Sequence, residues 1–231
     1  MSDPPEPHRR IRSFVLRAGR MTEAQQRGFD HGWIRWGVDY LPEPLDMDAL
    51  FGPSGDRVLE IGFGMGQSLL EMASAQRDTR YLGIEVHRPG VGKLLSGIEE
   101  AGLENLRVIC HDAVEVLEHC IHPGSLDRIQ IFFPDPWHKK RHYKRRLIQP
   151  DFALLLASRL RTGGELHLAT DWEPYAEHIL NVLNSCEDLE NCSENGTYVA
   201  KPESRPLTKF EARGQRLGHG VWDILFRRPA L

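Results

Sequence analysis

Residues 57–66 read Arg57-Val-Leu-Glu-Ile-Gly-Phe-Gly-Met-Gly66, a short apolar run that breaks into three alternating glycines. A strand that passes through such a loop into a helix, here residues 67–75, allows a tight turn and close backbone approach to a ligand. The same alternation continues downstream. Apolar runs at 81–85, 106–110, 128–133 and 165–169 are separated by helical stretches at 90–101, 113–119, 149–160 and 173–184. Strands alternating with crossover helices imply an α/β fold, a parallel sheet with helices on both faces. Gly163-Gly164 is expected to turn the chain into the fifth strand. The run Val221-Trp-Asp-Ile-Leu-Phe226, with no helix after it, is expected to close one sheet edge. There is no internal repeat.

With 231 residues, 40% hydrophobic and 27% charged, the chain can bury one sizeable core. Residues 1–20 carry Pro4, Pro5 and Pro7, then Arg9, Arg10, Arg12, Arg17 and Arg20, and read as a mobile basic arm. Residues 21–231 then form a single domain. A net charge of -4 excludes a generally basic nucleic-acid coat protein, so any polyanion must meet a local patch. Cys110, Cys120, Cys186 and Cys192 form no CxxC pair, and the N-terminus lacks an apolar leader, which together point to the cytoplasm. No run approaches the ~20 apolar residues of a membrane span. No metal site is expected. His119 and His122 flank Cys120 without a second ligand cluster, and His138 and His142 lie inside a cationic run that would repel a divalent ion.

In such a sheet, ligands sit outside the carboxyl ends of the strands. Those ends carry Glu60 with Gly62, Gly64 and Gly66, then Glu85, Asp112, Asp135 and Asp171 in turn. One acid at a strand end is an ordinary helix cap, but five in register point to a ligand. The loop also departs from the dinucleotide fingerprint, with Gln67 where Gly or Ala is wanted and the third glycine one residue early. Glu60 is a poor neighbour for a pyrophosphate and a good one for a cationic amine and sulfonium. Glu85, 19 residues past Gly66, suits ribose hydroxyls, and Asp112-Ala113 suits an adenine edge.

A second informative segment follows the fourth strand. In Phe132-Phe-Pro-Asp-Pro-Trp-His-Lys-Lys-Arg141, the two prolines restrict the backbone around Asp135. Between Trp137 and Arg146 stand six Lys or Arg and two His with no acid, the local footprint of phosphate contact. Trp137 and Tyr143 would stack on a base, with a packing anchor as the alternative for Trp137.

Val58-Leu-Glu-Ile-Gly-Phe-Gly-Met-Gly66 resembles the first motif of the class I S-adenosylmethionine-dependent methyltransferases, whose fold is a mostly parallel, seven-stranded, Rossmann-like sheet. Together with the Pro-Asp-Pro-Trp segment, Arg12-Ser-Phe-Val-Leu-Arg-Ala-Gly-Arg-Met21, Ala169-Thr-Asp-Trp172 and Thr208-Lys-Phe-Glu-Ala-Arg213 resemble the bacterial tRNA (guanine-N7)-methyltransferase family. The resemblance implies transfer of a methyl group from S-adenosyl-L-methionine to N7 of guanine 46 in the tRNA variable loop. It implies donor contacts by the glycine loop, Glu60, Glu85, Asp112 and Asp135, with Asp135 the catalytic carboxylate. Substrate contacts would fall to Lys139, Asp171, Thr208, Lys209, Phe210 and Glu211. Lys140, Arg141, Lys144, Arg145 and Arg146 would hold RNA. Whether Asp135 stabilises charge or orients guanine stays open, as does the choice between monomer and homodimer. Three rivals remain: an exocyclic-amine methyltransferase, a nicotinamide-dependent dehydrogenase, disfavoured by Gln67 and Glu60, and a non-catalytic RNA-binding module.

Overall fold

The computed structural model describes residues 12–14, 20–207, 211 and 220–230. Its strands are β1 (Arg57–Ile61), β2 (Arg80–Ile84), β3 (Leu106–Ile109), β4 (Leu126–Phe132), β5 (Leu160–Thr170), β6 (Glu190–Asn191) and β7 (Trp222–Arg227). They form a seven-stranded sheet in the order β3-β2-β1-β4-β5-β7-β6. The first five are parallel, and β7 runs antiparallel to both of its neighbours. The order reverses between β1 and β4, the place where an α/β sheet opens a crevice.

Strand alternation divides the core. Leu59, Ile61, Leu82, Ile84, Ile129 and Ile131 point to the face covered by α5 (Ala113–His119), α6 (Pro150–Arg159) and α7 (Glu173–Asn184). Val58, Tyr81, Leu106 and Val108 point to the other, beneath α1 (Glu23–Trp36), α3 (Gln67–Ala75) and α4 (Arg88–Ala101). A sheet buried on both sides requires such near-continuous apolar strands.

The sequence reading did not reach α1 or the short α2 (Met47–Phe51). Thr22 and Gln25 close a capping box at the start of α1. Gly28 and Gly92 then let α1 approach α4: a Cβ on Gly28 would lie 2.4 Å from the Gly92 carbonyl oxygen. Beyond α1, the Val38 amide donates to the Val108 carbonyl at 2.8 Å and so covers the β3 edge.

Two expectations are corrected. Gly163 and Gly164 lie inside β5, not before it: Gly163 has φ 77°, and the β4–β5 register shifts between Leu126 and Arg128, as a bulge does. The Val221–Phe226 run does not close the sheet. It is β7, between β5 and the two-residue β6, which forms the edge.

Candidate active site

At the carboxyl ends of the central strands lies a cleft of about 550 Å³, lined among others by Gly62, Glu85, Asp112, Phe133, Asp135 and Trp137, with Ser13 and Phe14 from the N-terminal segment. Three carboxylates line it, and no Lys or Arg does among the described residues. A pyrophosphate would be repelled there and a cation attracted.

The glycine loop is built for contact. Gly62, Gly64 and Gly66 all have positive φ (77°, 58° and 74°), which other residues adopt only under strain. A Cβ on Gly62 would meet no protein atom within 4 Å and would occupy only the cleft's own space. Behind the loop α4 presses close, a Cβ on Gly90 falling 1.9 Å from the Gly64 carbonyl oxygen. Glu85 ties the loop to β2: its Oε2 accepts from the Gly64 amide at 2.8 Å, and its Oε1 from the amides of Val86 at 2.7 Å and His87 at 3.0 Å. Asp112 is the N-cap of α5, accepting from the Val114 amide at 3.0 Å, and lines the cleft as well.

Glu60 is displaced from its expected place. Alternation along β1 turns it away from Ile61 to the opposite face of the sheet, where it is 3% exposed and accepts from Gln130 Nε2 at 2.8 Å. It lies behind the loop rather than among the residues lining the cleft. Burial lifts its pKa from 4.5 to about 7, aided by the neighbouring Glu85 and opposed by the Gln130 hydrogen bond.

The Asp135 loop carries backbone strain. Phe133 and Trp137, at its two ends, have φ of 53° and 47°, the only positive values outside glycine among the described residues. Such conformations cost about 1 to 3 kcal/mol each and persist only where the surroundings impose them. Here the Phe133 amide donates to the Ala169 carbonyl at 2.7 Å, the Trp137 amide to Asp135 Oδ1 at 2.9 Å, and Trp137 Nε1 to the Ser13 carbonyl at 3.1 Å. Trp137 is thus a packing anchor, with the His142 ring perpendicular to its own and the guanidinium of Arg145 over it. Asp135 itself remains exposed on the cleft wall.

The basic run forms a 3₁₀ helix, Lys140–Arg145, on which Lys140, Arg141 and Lys144 are exposed, as is the capping Lys139. Loss of solvation and the neighbouring Arg141, Arg145 and Lys139 push the His142 pKa below its usual value. Arg146 departs from expectation. It is 3% exposed, donates from Nε to the Pro136 carbonyl at 2.9 Å, and stacks 3.6 Å from the centre of the Tyr143 ring. The reason is local: where the 3₁₀ turn ends, its side chain folds beneath the Asp135 loop and not toward solvent. It also covers a face of Tyr143 expected to stack on a base.

Asp171 follows β5, half buried, and is not among the residues lining the cleft. Thr208, Lys209 and Phe210 lie outside the described residues. Glu211 is 2% exposed and bidentate to Arg205, NH1 to Oε2 at 2.6 Å and NH2 to Oε1 at 2.8 Å, so its carboxylate faces a buried guanidinium and not the cleft. The reading from sequence missed Arg205, Asp223 and His167, which join in this buried cluster. The one available signal was polar residues at inward positions of β5 and β7. Burial alone would raise the Asp223 pKa, but hydrogen bonds from His167 and Arg205 outweigh it and hold the carboxyl below its ordinary range. Among the described residues, no three His, Cys, Asp or Glu side chains converge on a metal position, and no helix is long and apolar enough to cross a membrane.

The reversal of strand order, the glycine cradle and the antiparallel β7 define a class I methyltransferase fold. The 16S rRNA methyltransferase KamB shares it with a TM-score of 0.55 at 13% identity, covering 96% of this chain and 99% of that one. A family described as "Putative methyltransferase" matches residues 54–224. Among curated proteins, the tRNA (guanine-N(7)-)-methyltransferase of Pseudomonas aeruginosa (strain UCBPP-PA14) is 57% identical over 226 residues, 98% of this chain and 93% of that protein. The enzyme of the same name from Cronobacter sakazakii is 60% identical over 222 residues, 96% of this chain and 93% of its own. The chain belongs to the tRNA (guanine-N7)-methyltransferase family.

Proposed function

We propose that the protein transfers a methyl group from S-adenosyl-L-methionine to N7 of guanine 46 in the variable loop of tRNA, in the cytoplasm. The observation that carries this reading is the loop between the strained Phe133 and Trp137, which holds an exposed carboxylate, Asp135, at the wall of an acidic cleft in a chain of this family.

The cleft suits the donor. Its carboxylates match a ligand with an ammonium and a sulfonium, and the space above Gly62 that a Cβ would fill is left for a ligand. When bound, S-adenosyl-L-methionine supplies an electrophilic methyl group. Gly62, Gly64 and Gly66 would give close backbone approach, Glu85 would accept from ribose hydroxyls with the capacity its three amide bonds leave, and Asp112 would border the base. Glu60, behind the loop, would add negative charge toward a cationic donor in its ionised form.

Guanine N7 carries a lone pair and no proton, so the chain need not remove one. Its residues work by placement, an effect worth up to ~7 to 11 kcal/mol when the reacting atoms are held in line. Asp135 would hold the guanine or stabilise the positive charge its ring gains. Asp171 would accept from the same base, and Lys139 would contact it. Lys140, Arg141, Lys144 and Arg145 hold tRNA by its phosphates without reading sequence, so specificity falls to the shape of the folded RNA. Bulk tRNA incubated with the protein and labelled donor should yield 7-methylguanosine on nucleoside analysis, mapped to position 46. Label in any other nucleoside would overturn the reading.

A further inference from the structure

We propose that Arg205 is a positioning residue for methyl transfer, a buried double clamp that holds the two halves of the acceptor site in register. Its guanidinium donates in two directions. Nε and NH2 reach Asp223 Oδ1 and Oδ2 of β7 at 2.7 and 2.9 Å, while NH1 and NH2 reach both oxygens of Glu211 at 2.6 and 2.8 Å. Asp223 is fixed in turn by His167 Nε2 of β5 at 2.8 Å, and the Arg205 carbonyl accepts from Lys201 Nζ at 2.8 Å. The guanidinium lies 5.9 Å from the centre of the Phe132 ring and 5.7 Å from that of Phe133.

Phe133 is the strained residue that opens the Asp135 loop, and Glu211 ends the Thr208–Glu211 motif. One side chain therefore contacts both the ring of Phe133 and the carboxylate of Glu211, and ties Glu211 to β7 through Asp223. Stability alone is a weak reason for this arrangement. A buried ionic cluster is often no more stabilising than apolar residues of the same volume, because its desolvation offsets its attraction. What a guanidinium adds is geometry: a planar fork that fixes two carboxylates at defined angles, which a lysine ammonium cannot reproduce. Arg205 touches no cleft-lining carboxylate, so its effect on the reaction passes through Glu211 and the ring of Phe133.

This inference rests on the proposed guanine methylation, and its test separates the two. Arg205→Lys keeps the charge and removes the fork. Asp223→Asn keeps Arg205 and its Glu211 pair but weakens the anchor on β7. For each variant, S-adenosylhomocysteine affinity by calorimetry, tRNA affinity by filter binding, the thermal midpoint, and the single-turnover methylation rate on one tRNA would be measured. Both ligand affinities should stay within about twofold while the rate falls about tenfold or more, as for misplaced reacting groups. Wild-type rates in either folded variant would overturn the proposal. So would a rate that falls only in proportion to donor affinity and thermal midpoint, or failure of both variants to fold, since each would make the cluster purely structural. A wild-type protein that methylates no guanine would overturn the proposed function instead.

Discussion

Glu60→Gln should make the protein more stable above neutral pH while weakening its hold on the methyl donor. Lifting a buried acid from 4.5 to about 7 costs its ionised form about 3 kcal/mol, at ~1.4 kcal/mol per pH unit. The sign follows from proton binding. Between these two pH values the folded state holds a proton that the unfolded chain has released, so stability falls as pH rises from about 4.5 and the full penalty is reached above about 7. Glutamine keeps the volume, accepts from Gln130 in place of the carboxylate, and titrates nowhere. Urea unfolding of both proteins without donor, from pH 5 to pH 8, should show the stability difference moving in favour of the variant by about 2 kcal/mol. The denaturant slope should be unchanged. A difference that stays flat across this range would refute the reasoning, because it would mean that Glu60 is not ionised at the expense of folding.

Glu85→Ala should lower donor affinity and also destabilise the protein without donor, by about 1.5 to 3 kcal/mol in each case, since the carboxylate serves three backbone amides as well as the ligand. Calorimetry and thermal unfolding check the two effects, and an intact thermal midpoint would remove the loop-tethering role. Replacing Lys140, Arg141, Lys144 and Arg145 by Ala should flatten the dependence of log K on log salt for tRNA by about 3, whereas Arg146→Ala should leave that slope alone and lower stability. Equal slopes for the wild type and the fourfold variant would return the run to a solvated face. For Asp135, single-turnover rates at saturating donor separate its two candidate roles. If charge stabilisation dominates, Asn and Ala should slow transfer alike by ~100-fold. If it orients guanine, Asn should keep a clear advantage, and near wild-type rates for both would reduce Asp135 to a cap.

What sequence revealed was whatever depended on local pattern. Helices 67–75, 113–119 and 173–184 coincide with α3, α5 and α7, whose starts carry local signals: Gly66, the Asp112 cap and Pro174 in the first turn. The glycine loop and the prolines around Asp135 were legible because they restrict backbone conformation directly. Properties set by partners far along the chain were not. Nothing near Val221 says that β7 pairs with both β5 and β6, and nothing near Arg146 says that its guanidinium lies between two tyrosine rings. Glu211 reads from sequence as an acid for the guanine edge, because nothing near it shows that its carboxylate is paired with Arg205, which is held in turn by Asp223 of β7. Glu60 was placed at the strand end correctly, but a two-residue period decides which face it takes, and that face is the one behind the loop.

The most direct test of the central claim replaces the attacking atom. A tRNA transcript carrying 7-deazaguanosine at position 46 has a C–H where guanine has the N7 lone pair, with the Watson-Crick edge intact. With labelled S-adenosyl-L-methionine, the ordinary transcript should take up one methyl group per tRNA and the substituted one none, while both bind equally well. Methylation of the substituted transcript at that nucleoside would place the acceptor on another atom and contradict the account.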